Sequence, residues 1–374
     1  IYIMFLIAIL VSERSPETIV AWIFTITVFP VFGFILYLVF GINWRKNRIE
    51  SLQNKNRRSL FKRFPSLTKN FLKYDPAEIF HSRKVKPEDL DILMNNAGIS
   101  QEESEIVKLL YASEGTYLTH NSSYKMFYDG REAFDSIIQD LESAKETIYM
   151  EYFIWRSDKL GEKVKDVLVK KAKEGVKIRL LFDGMGSFGT ISEKYRKELL
   201  KVGVEFKYFL DIKFALSKFN YRNHRKITIV DNRILHTGGM NLGEEYITGG
   251  KRFESWRDTN VRIQGELVLH YLAIFVTDWL NSGGKQDFKM DDIEEVIEEH
   301  KKVQKDSPYL MQVSSSGPDT IWTTLKYTYS KLITSAKEEI LIQSPYFIPD
   351  TSLVSQLKIA ALSGVKIKLM IAGV

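Results

Sequence analysis

Asn220–Tyr246 reads NYRNHRKITIVDNRILHTGGMNLGEEY, and the fold of the 374-residue chain is read outward from it. His224-Arg-Lys226-Ile-Thr-Ile-Val230 has the composition of a strand, Asp231-Asn232 is a tight-turn pair, and Arg233–Thr237 is a returning strand. Side chains alternate across a strand, so His224 and Lys226 share one face while Arg225, Ile227 and Ile229 share the other. An imidazole beside an ammonium group on a rigid strand suits attack on a phosphodiester. His224 is the candidate nucleophile, and Lys226 a fixed positive charge for the non-bridging oxygens. The ammonium also favours a neutral, nucleophilic imidazole. Gly238 and Gly239 allow backbone N–H groups to approach an anion and Asn241 adds an amide donor, which makes these three the candidate phosphate-binding residues. Asp231 has the opposite parity to His224 and sits in the turn, where an Asp ordinarily bonds neighbouring backbone. Read as a catalytic residue, it orients the His of another copy of the motif.

The chain around this segment repeats itself. Ser143–Ile148 (SAKETI) recurs 192 residues later as Ser335–Ile340 (SAKEEI), and Gly175–Leu180 (GVKIRL) recurs 189 residues later as Gly364–Leu369 (GVKIKL). Each copy reads helix, strand, helix, strand. In the first, a helix over Glu132–Lys145 leads into a strand over Thr147–Trp155, then a helix over Gly161–Glu174 and a strand over Val176–Phe182. That alternation predicts α/β units with a largely parallel sheet.

The amino end has the length and composition of a membrane segment. Thr18–Phe40 is 23 residues without a charge; at about 1.5 Å per residue a helix of that length reaches about 34 Å, enough for a hydrocarbon core of about 30 Å. Trp22 and Trp44 flank it, and Pro30 and Gly33 are tolerated in such helices. Ile1–Val11 is a second apolar run, too short to span and without an initial Met, so it is expected to be the tail of a longer helix, joined through the loop Ser12–Glu17. A cleaved signal peptide would carry its basic residues before the apolar run, and here they come after it. Gly41–Arg63 holds eight Lys and Arg against Glu50 alone, which by the positive-inside rule puts this segment and the chain beyond it in the cytoplasm.

Composition narrows the chemistry. The absence of cysteine excludes disulfides, thiolate zinc sites, iron–sulfur clusters and cysteine nucleophiles. The net charge of +6 suggests nucleic acid, but the short basic segment alone exceeds it, and the remaining residues carry no basic excess. The positive charge is better placed against anionic lipid on the cytoplasmic leaflet.

His224-x-Lys226-x4-Asp231-x6-Gly238-Gly239 resembles the HxKxxxxDxxxxxxG(G/S) signature of the phospholipase D superfamily. The resemblance implies two related α/β/α sandwich halves, each with one motif, meeting at a single site. It implies a phosphohistidine on one His, a second His that protonates the leaving alcohol and activates the incoming one, support of each His by the partner half's Asp, and no metal or other cofactor. Within that superfamily the chain is similar to the bacterial cardiolipin synthases over nearly its whole length. The residues that carry this are the amino-terminal hairpin with Pro16–Trp22, Asp183-Gly184-Met-Gly186-Ser187, and Trp256-Arg257-Asp258-Thr259 before an aromatic-rich helix over Glu266–Leu280. That family joins two phosphatidylglycerols into cardiolipin and releases glycerol.

A second copy of the whole signature is missing. His81, His120, His236 and His270 have no Lys two residues on, and His300 has Lys302 but Ser307 at the Asp position. The repeat offset places the second HxK near residue 413, about 39 residues past Val374, so the chain is read as a fragment that is inactive alone. The expected organisation is a transmembrane hairpin over 1–44, a basic connecting segment over 45–110, a first phospholipase D-like half over 111–284, a charged linker over 285–308, and the start of a second half over 309–374. His236 and His270 read as structural, Asp183 as a turn former, and Asp258 and Glu254 as ion-pair partners of Arg252 or Arg257. A membrane phosphatidyltransferase acting on phosphatidylglycerol is the favoured function. A hydrolase of the same superfamily and a non-catalytic membrane scaffold are the alternatives.

Overall fold

A seven-stranded mixed sheet carries the first copy of the repeat. The computed structural model describes residues 9–10, 16–37, 41, 99–114, 116, 118–119, 122–209, 222–250, 256–285, 287–288, 309–317 and 322–371. Helices α1 (Pro16–Val28), α2 (Pro30–Leu36) and α3 (Gln101–Glu114) come first. After them come β1 (Ser122–Phe127), α4 (Gly130–Ser143), β2 (Thr147–Tyr152), α5 (Lys159–Lys173), β3 (Lys177–Asp183), α6 (Glu193–Lys201) and β4 (Glu205–Phe209). The motif hairpin β5 (Ile227–Val230) and β6 (Ile234–Gly238) precedes α7 (Glu245–Thr248), β7 (Asn260–Gly265) and α8 (Leu267–Asn281). The second copy supplies α9 (Thr324–Ser335), β8 (Glu339–Ser344), α10 (Thr351–Leu362) and β9 (Lys366–Ile371).

The strand order is β1-β7-β6-β5-β2-β3-β4. Only β2–β3 and β3–β4 are parallel; the other four pairings are antiparallel, so the expected largely parallel sheet holds for one end of it alone. The reason is local. Asp231 and Asn232 both have positive φ (51° and 55°), the two-residue hairpin geometry that returns a strand beside itself. Parallel neighbours need a crossover, and α5 and α6 provide it for β3 and β4. Helices α4, α5 and α6 each start on a side-chain cap. Asp129 accepts from the N–H groups of Arg131 and Glu132, Asp158 from Gly161, and Ser192 from Tyr195.

Both faces of the sheet are covered. On one, Ile137 and Leu141 of α4, Val164 and Leu168 of α5 and Leu199 of α6 pack against Ile148, Met150 and Leu180. On the other, Val268, Leu272, Phe275 and Trp279 of α8 pack against Tyr149, Leu181, Ile227, Ile229, Leu235 and Ile263. Each fully buried side chain of this size contributes about 1.5–3 kcal/mol, so the two layers hold the motif hairpin rigidly between them.

The second copy repeats the first strand for strand. Thr147↔Lys177 through Tyr152↔Phe182 pair in the same parallel register as Glu339↔Lys366 through Ser344↔Ile371. Lys177 N–H donates to Glu146 O at 2.9 Å, and Lys366 N–H to Glu338 O at 2.8 Å. Its own core is small, built on Ile333, Ala360 and Val365, while Leu341, Leu369, Met370 and Ile371 are exposed. Helix α9 is tied to α3 by the Lys331–Glu105 ion pair, and the α9–β8 junction by Lys337–Glu102.

At the amino end the single long span expected over Thr18–Phe40 is two short helices. Pro30 lacks an N–H and Phe29 before it has φ −124° and ψ 74°, so the helix stops there. The chain folds back: the Trp22 and Tyr37 rings meet edge-on at 5.3 Å, and a Cβ on Gly33 would lie 2.4 Å from Thr25 O. Among the described residues no helix is long and apolar enough to cross a membrane. Residues 1–8 and 11–15, the basic segment Arg45–Arg63, His81, His120, Arg252, Glu254 and most of the charged stretch with His300 lie outside the described residues.

Candidate active site

The hydrogen-bonded strand β5 begins at Ile227, so His224 and Lys226 stand on the extended residues 222–226 that lead into it rather than within it. The expected alternation is kept. Arg225 turns with Ile227 and Ile229 toward α8, where its guanidinium meets the carboxylate of Asp278. His224 faces away and is exposed.

Both neighbours of His224 are anchored. Asn223 donates its backbone N–H to Asp183 Oδ2 at 2.9 Å and its amide to Glu151 Oε1 at 2.5 Å and to Asp278 Oδ2 at 3.1 Å. Its Oδ1 accepts from Arg225 N at 3.0 Å. Burial, with the Asp278 carboxylate beside it, pushes Glu151 well above the usual carboxylate range. That shift favours the protonated form of Glu151, next to the Asp278 carboxylate that pairs with Arg225. Hydrogen bonds from Asn223 to three buried carboxyl groups fix the chain on which His224 rides.

The His224 ring lies on Phe153, with centroids 3.7 Å apart and planes 20° from parallel. Partial burial and the Lys226 ammonium lower its pKa below 6.5, with Asp183 opposing them. Lys226 is 8% exposed, donates to His224 O at 2.5 Å, and places Nζ 5.5 Å from the Phe153 centroid. Burial draws its pKa down from 10.5 to about 8, against the pull of Asp258 and Asp183. An exposed imidazole and a buried ammonium group therefore stand against the same Phe153 ring.

The other expected site residues are placed differently. Asp231 lies seven residues from His224 along an extended chain, on the order of 20 Å at about 3.3 Å per residue. Its carboxylate accepts three backbone N–H groups, from Lys145, Glu146 and Thr147, each at 2.8 Å. It clasps the α4–β2 junction. The backbone N–H of Gly239 is spent on Thr259 O at 2.9 Å. Asn241 accepts from Ile154 N at 3.0 Å and donates to Tyr246 Oη at 2.8 Å. The glycines instead permit close approach: a Cβ on Gly238 (φ 147°) would lie 2.3 Å from Thr259 O, and one on Gly239 would lie 2.0 Å from Asp258 Oδ1. Gly239 and Asn241 thus have partners within the fold, and Gly238 and Gly239 stand where a side chain would not fit.

His236 is fully buried and bonded to Asp140 at 2.6 Å, which Arg262 also holds, and His270 is buried on α8; both are structural as expected. Arg257 lies over the Tyr128 ring and reaches Gln343 at 3.4 Å, while Asp258 Oδ1 accepts from Thr259 N, so the expected Asp258–Arg257 pairing is absent from the described contacts. Asp183 is more than a turn former. Its Oδ1 accepts from Met185 N and Gly186 N at 2.9 and 3.0 Å, and its Oδ2 from Asn223 N. Phe153, Glu151 and Asp278 were not singled out from the sequence. The one available signal was a carboxylate, Glu151, in the middle of the otherwise apolar stretch Ile148–Trp155.

With this geometry in view, comparison with known proteins is decisive. A family model described as cardiolipin synthase, PLD-like domain, matches residues 137–279 and 329–374, and one described as phospholipase D-nuclease N-terminal matches residues 1–41. The chain belongs to the cardiolipin synthase, phospholipase D-like family. It is 35% identical over 97% of its length to cardiolipin synthase 2 of Bacillus cereus, covering 65% of that protein. It is 34% identical over 98% of its length to cardiolipin synthase of Listeria monocytogenes, covering 71% of it. The chain therefore spans about two thirds of the length of these cardiolipin synthases. Phosphatidylserine synthase of Haemophilus influenzae shares the fold at a TM-score of 0.50 and 14% identity, over 72% of this chain and 66% of that one.

Proposed function

We propose that the chain carries the nucleophilic half of a membrane phosphatidyltransferase that joins two phosphatidylglycerol molecules into cardiolipin and releases glycerol. The observation that carries this reading is the exposed His224, held neutral beside the buried Lys226 ammonium. His224 attacks the phosphorus of the first phosphatidylglycerol. An N–P bond forms, the P–O bond to glycerol breaks, and the leaving oxygen takes a proton from a general acid on a second motif. Lys226 neutralises the charge that gathers on the non-bridging oxygens. A hydroxyl of the second phosphatidylglycerol then returns its proton to that group, attacks the phosphorus and breaks the N–P bond.

In this reading residues 111–284 form the first half, 309–374 begin the second, and the second motif is supplied by further chain of the natural protein. The amino-terminal segment sits in lipid, because Phe24 and Val28 of α1, Val31 and Phe32 of α2 and Phe29 between them are exposed, an apolar surface that water disfavours. The basic segment Gly41–Arg63 then faces the anionic cytoplasmic leaflet, where phosphatidylglycerol lies. The test is His224→Ala in the full-length protein, supplied with phosphatidylglycerol in mixed micelles. Loss of cardiolipin and of acid-labile phosphohistidine is expected. Undiminished cardiolipin overturns the role of His224, and phosphatidic acid in place of cardiolipin from the wild type identifies a hydrolase.

A further inference from the structure

The face-to-face contact of His224 with Phe153 is built from outside the motif. Phe153 comes just after β2, and its backbone carbonyl accepts from Ser187 Oγ at 3.0 Å, while the same hydroxyl oxygen accepts from Trp155 N at 3.0 Å. Phe153 is seated against Gly186, where a Cβ would lie 2.3 Å from Phe153 O and 2.7 and 2.8 Å from two carbons of its ring. The loop bearing Gly186 and Ser187 is held by Asp183 Oδ1, and the backbone just before His224 is held by Asp183 Oδ2. One buried carboxylate therefore sets both rings of the stack relative to each other.

An imidazole lone pair lies in the ring plane, so whatever fixes that plane fixes the direction of attack. On the exposed lead-in to a strand, χ2 of a histidine is otherwise broad. A ring 3.7 Å away and 20° from parallel removes that freedom and covers one face, leaving the ring edge open to substrate. The same ring receives the Lys226 ammonium on its π-face, so the two motif residues are held by one aromatic group.

We propose that Phe153 is a positioning residue for His224, fixing the plane of the nucleophilic imidazole, and that Asp183 and Gly186 seat it. The proposal rests on the assignment of His224 as nucleophile, and its test separates the two. The readout is diethyl pyrocarbonate modification of His224 across pH, analysed by peptide mass spectrometry on the folded chain, which requires no catalysis. In Phe153→Leu the reaction midpoint is expected to rise toward that of a free histidine and the plateau rate to increase several-fold, since the covered face opens. Gly186→Ala should reproduce both changes by displacing Phe153, backbone carbonyl and ring together, and Phe153→Tyr, which keeps the ring, should restore the wild-type midpoint. Circular dichroism checks that each variant is folded. In the full-length protein Phe153→Leu is expected to lower kcat by about 10–100-fold with KM nearly unchanged, as for a misdirected attacking group.

An unchanged midpoint and rate in folded Phe153→Leu overturn the proposal, as does a changed midpoint with full kcat. If His224→Ala keeps full cardiolipin synthesis while Phe153 still governs His224 reactivity, the stack stands and the assignment of the nucleophile fails.

Discussion

Replacing Lys226 by Met should stabilise the fold while abolishing transfer. Lys226 is almost completely buried, and its pKa falls from 10.5 to about 8 on folding. At about 1.4 kcal/mol per pH unit, keeping the ammonium charged in the folded site at pH 7 costs about 3 kcal/mol relative to the unfolded chain. Met has a similar shape and no charge to desolvate. It forfeits the bond to His224 O and the contact with the Phe153 ring, so the net gain expected at pH 7 is about 1–3 kcal/mol. The sign with pH discriminates better than the size. Folding depresses the pKa of this base, so the unfolded chain binds more protons between pH 8 and 10.5 and the wild type gains stability across that window. The variant has no such group, and its advantage should shrink by about 2 kcal/mol between pH 7 and pH 9.5. Thermal unfolding of both proteins in detergent at the two pH values measures this; 2 kcal/mol corresponds to about 4–8 °C for a domain of this size. A variant that melts at or below the wild type at pH 7, or a gap that does not narrow, refutes the reasoning.

Three further outcomes are expected. Transfer by the full-length protein should hold from somewhat below pH 6.5, where His224 protonates, to about pH 8, where Lys226 loses its proton; a pH–rate profile checks both limbs, and bound phosphate should push the upper one higher. Asp231→Ala, which strands three backbone N–H groups, should cost about 2–4 kcal/mol in urea unfolding, with Asp231→Asn losing less. Gly239→Ala would place a methyl group against the Asp258 carboxylate and push it from its place near Lys226. The expected result is a kcat reduced by about tenfold or more and a lower alkaline limb, read from the same profile.

The parity of His224, Lys226 and Arg225 was legible because alternation is a property of the local backbone, and it survives in a segment that precedes the hydrogen-bonded strand. The repeat was legible for the same reason, since each junction is short and its register is set by neighbours in sequence. Where donors and acceptors go across the fold is another matter, because their partners are remote in sequence. Asp231 meets backbone 84–86 residues earlier, Asn241 meets Ile154, and Gly239 meets Thr259, so groups that looked free for a phosphate are already engaged. The sheet is less parallel than the helix–strand alternation implies because the two-residue turn at Asp231-Asn232, itself expected, sets antiparallel pairing that β7 and β1 then extend. At the amino end, hydropathy and length suggest one span, but Pro30 divides the run.

The clasp at Asp231 divides the signature into parts with separate fates. On this geometry His224 and Lys226 should be replaceable with the sandwich intact, whereas Asp231 holds a junction of the scaffold. A half that has retired from chemistry should therefore still show its aspartate beside a SAKE-like junction long after its histidine has drifted. In such a chain the surviving acid records ancestry and foldability rather than turnover.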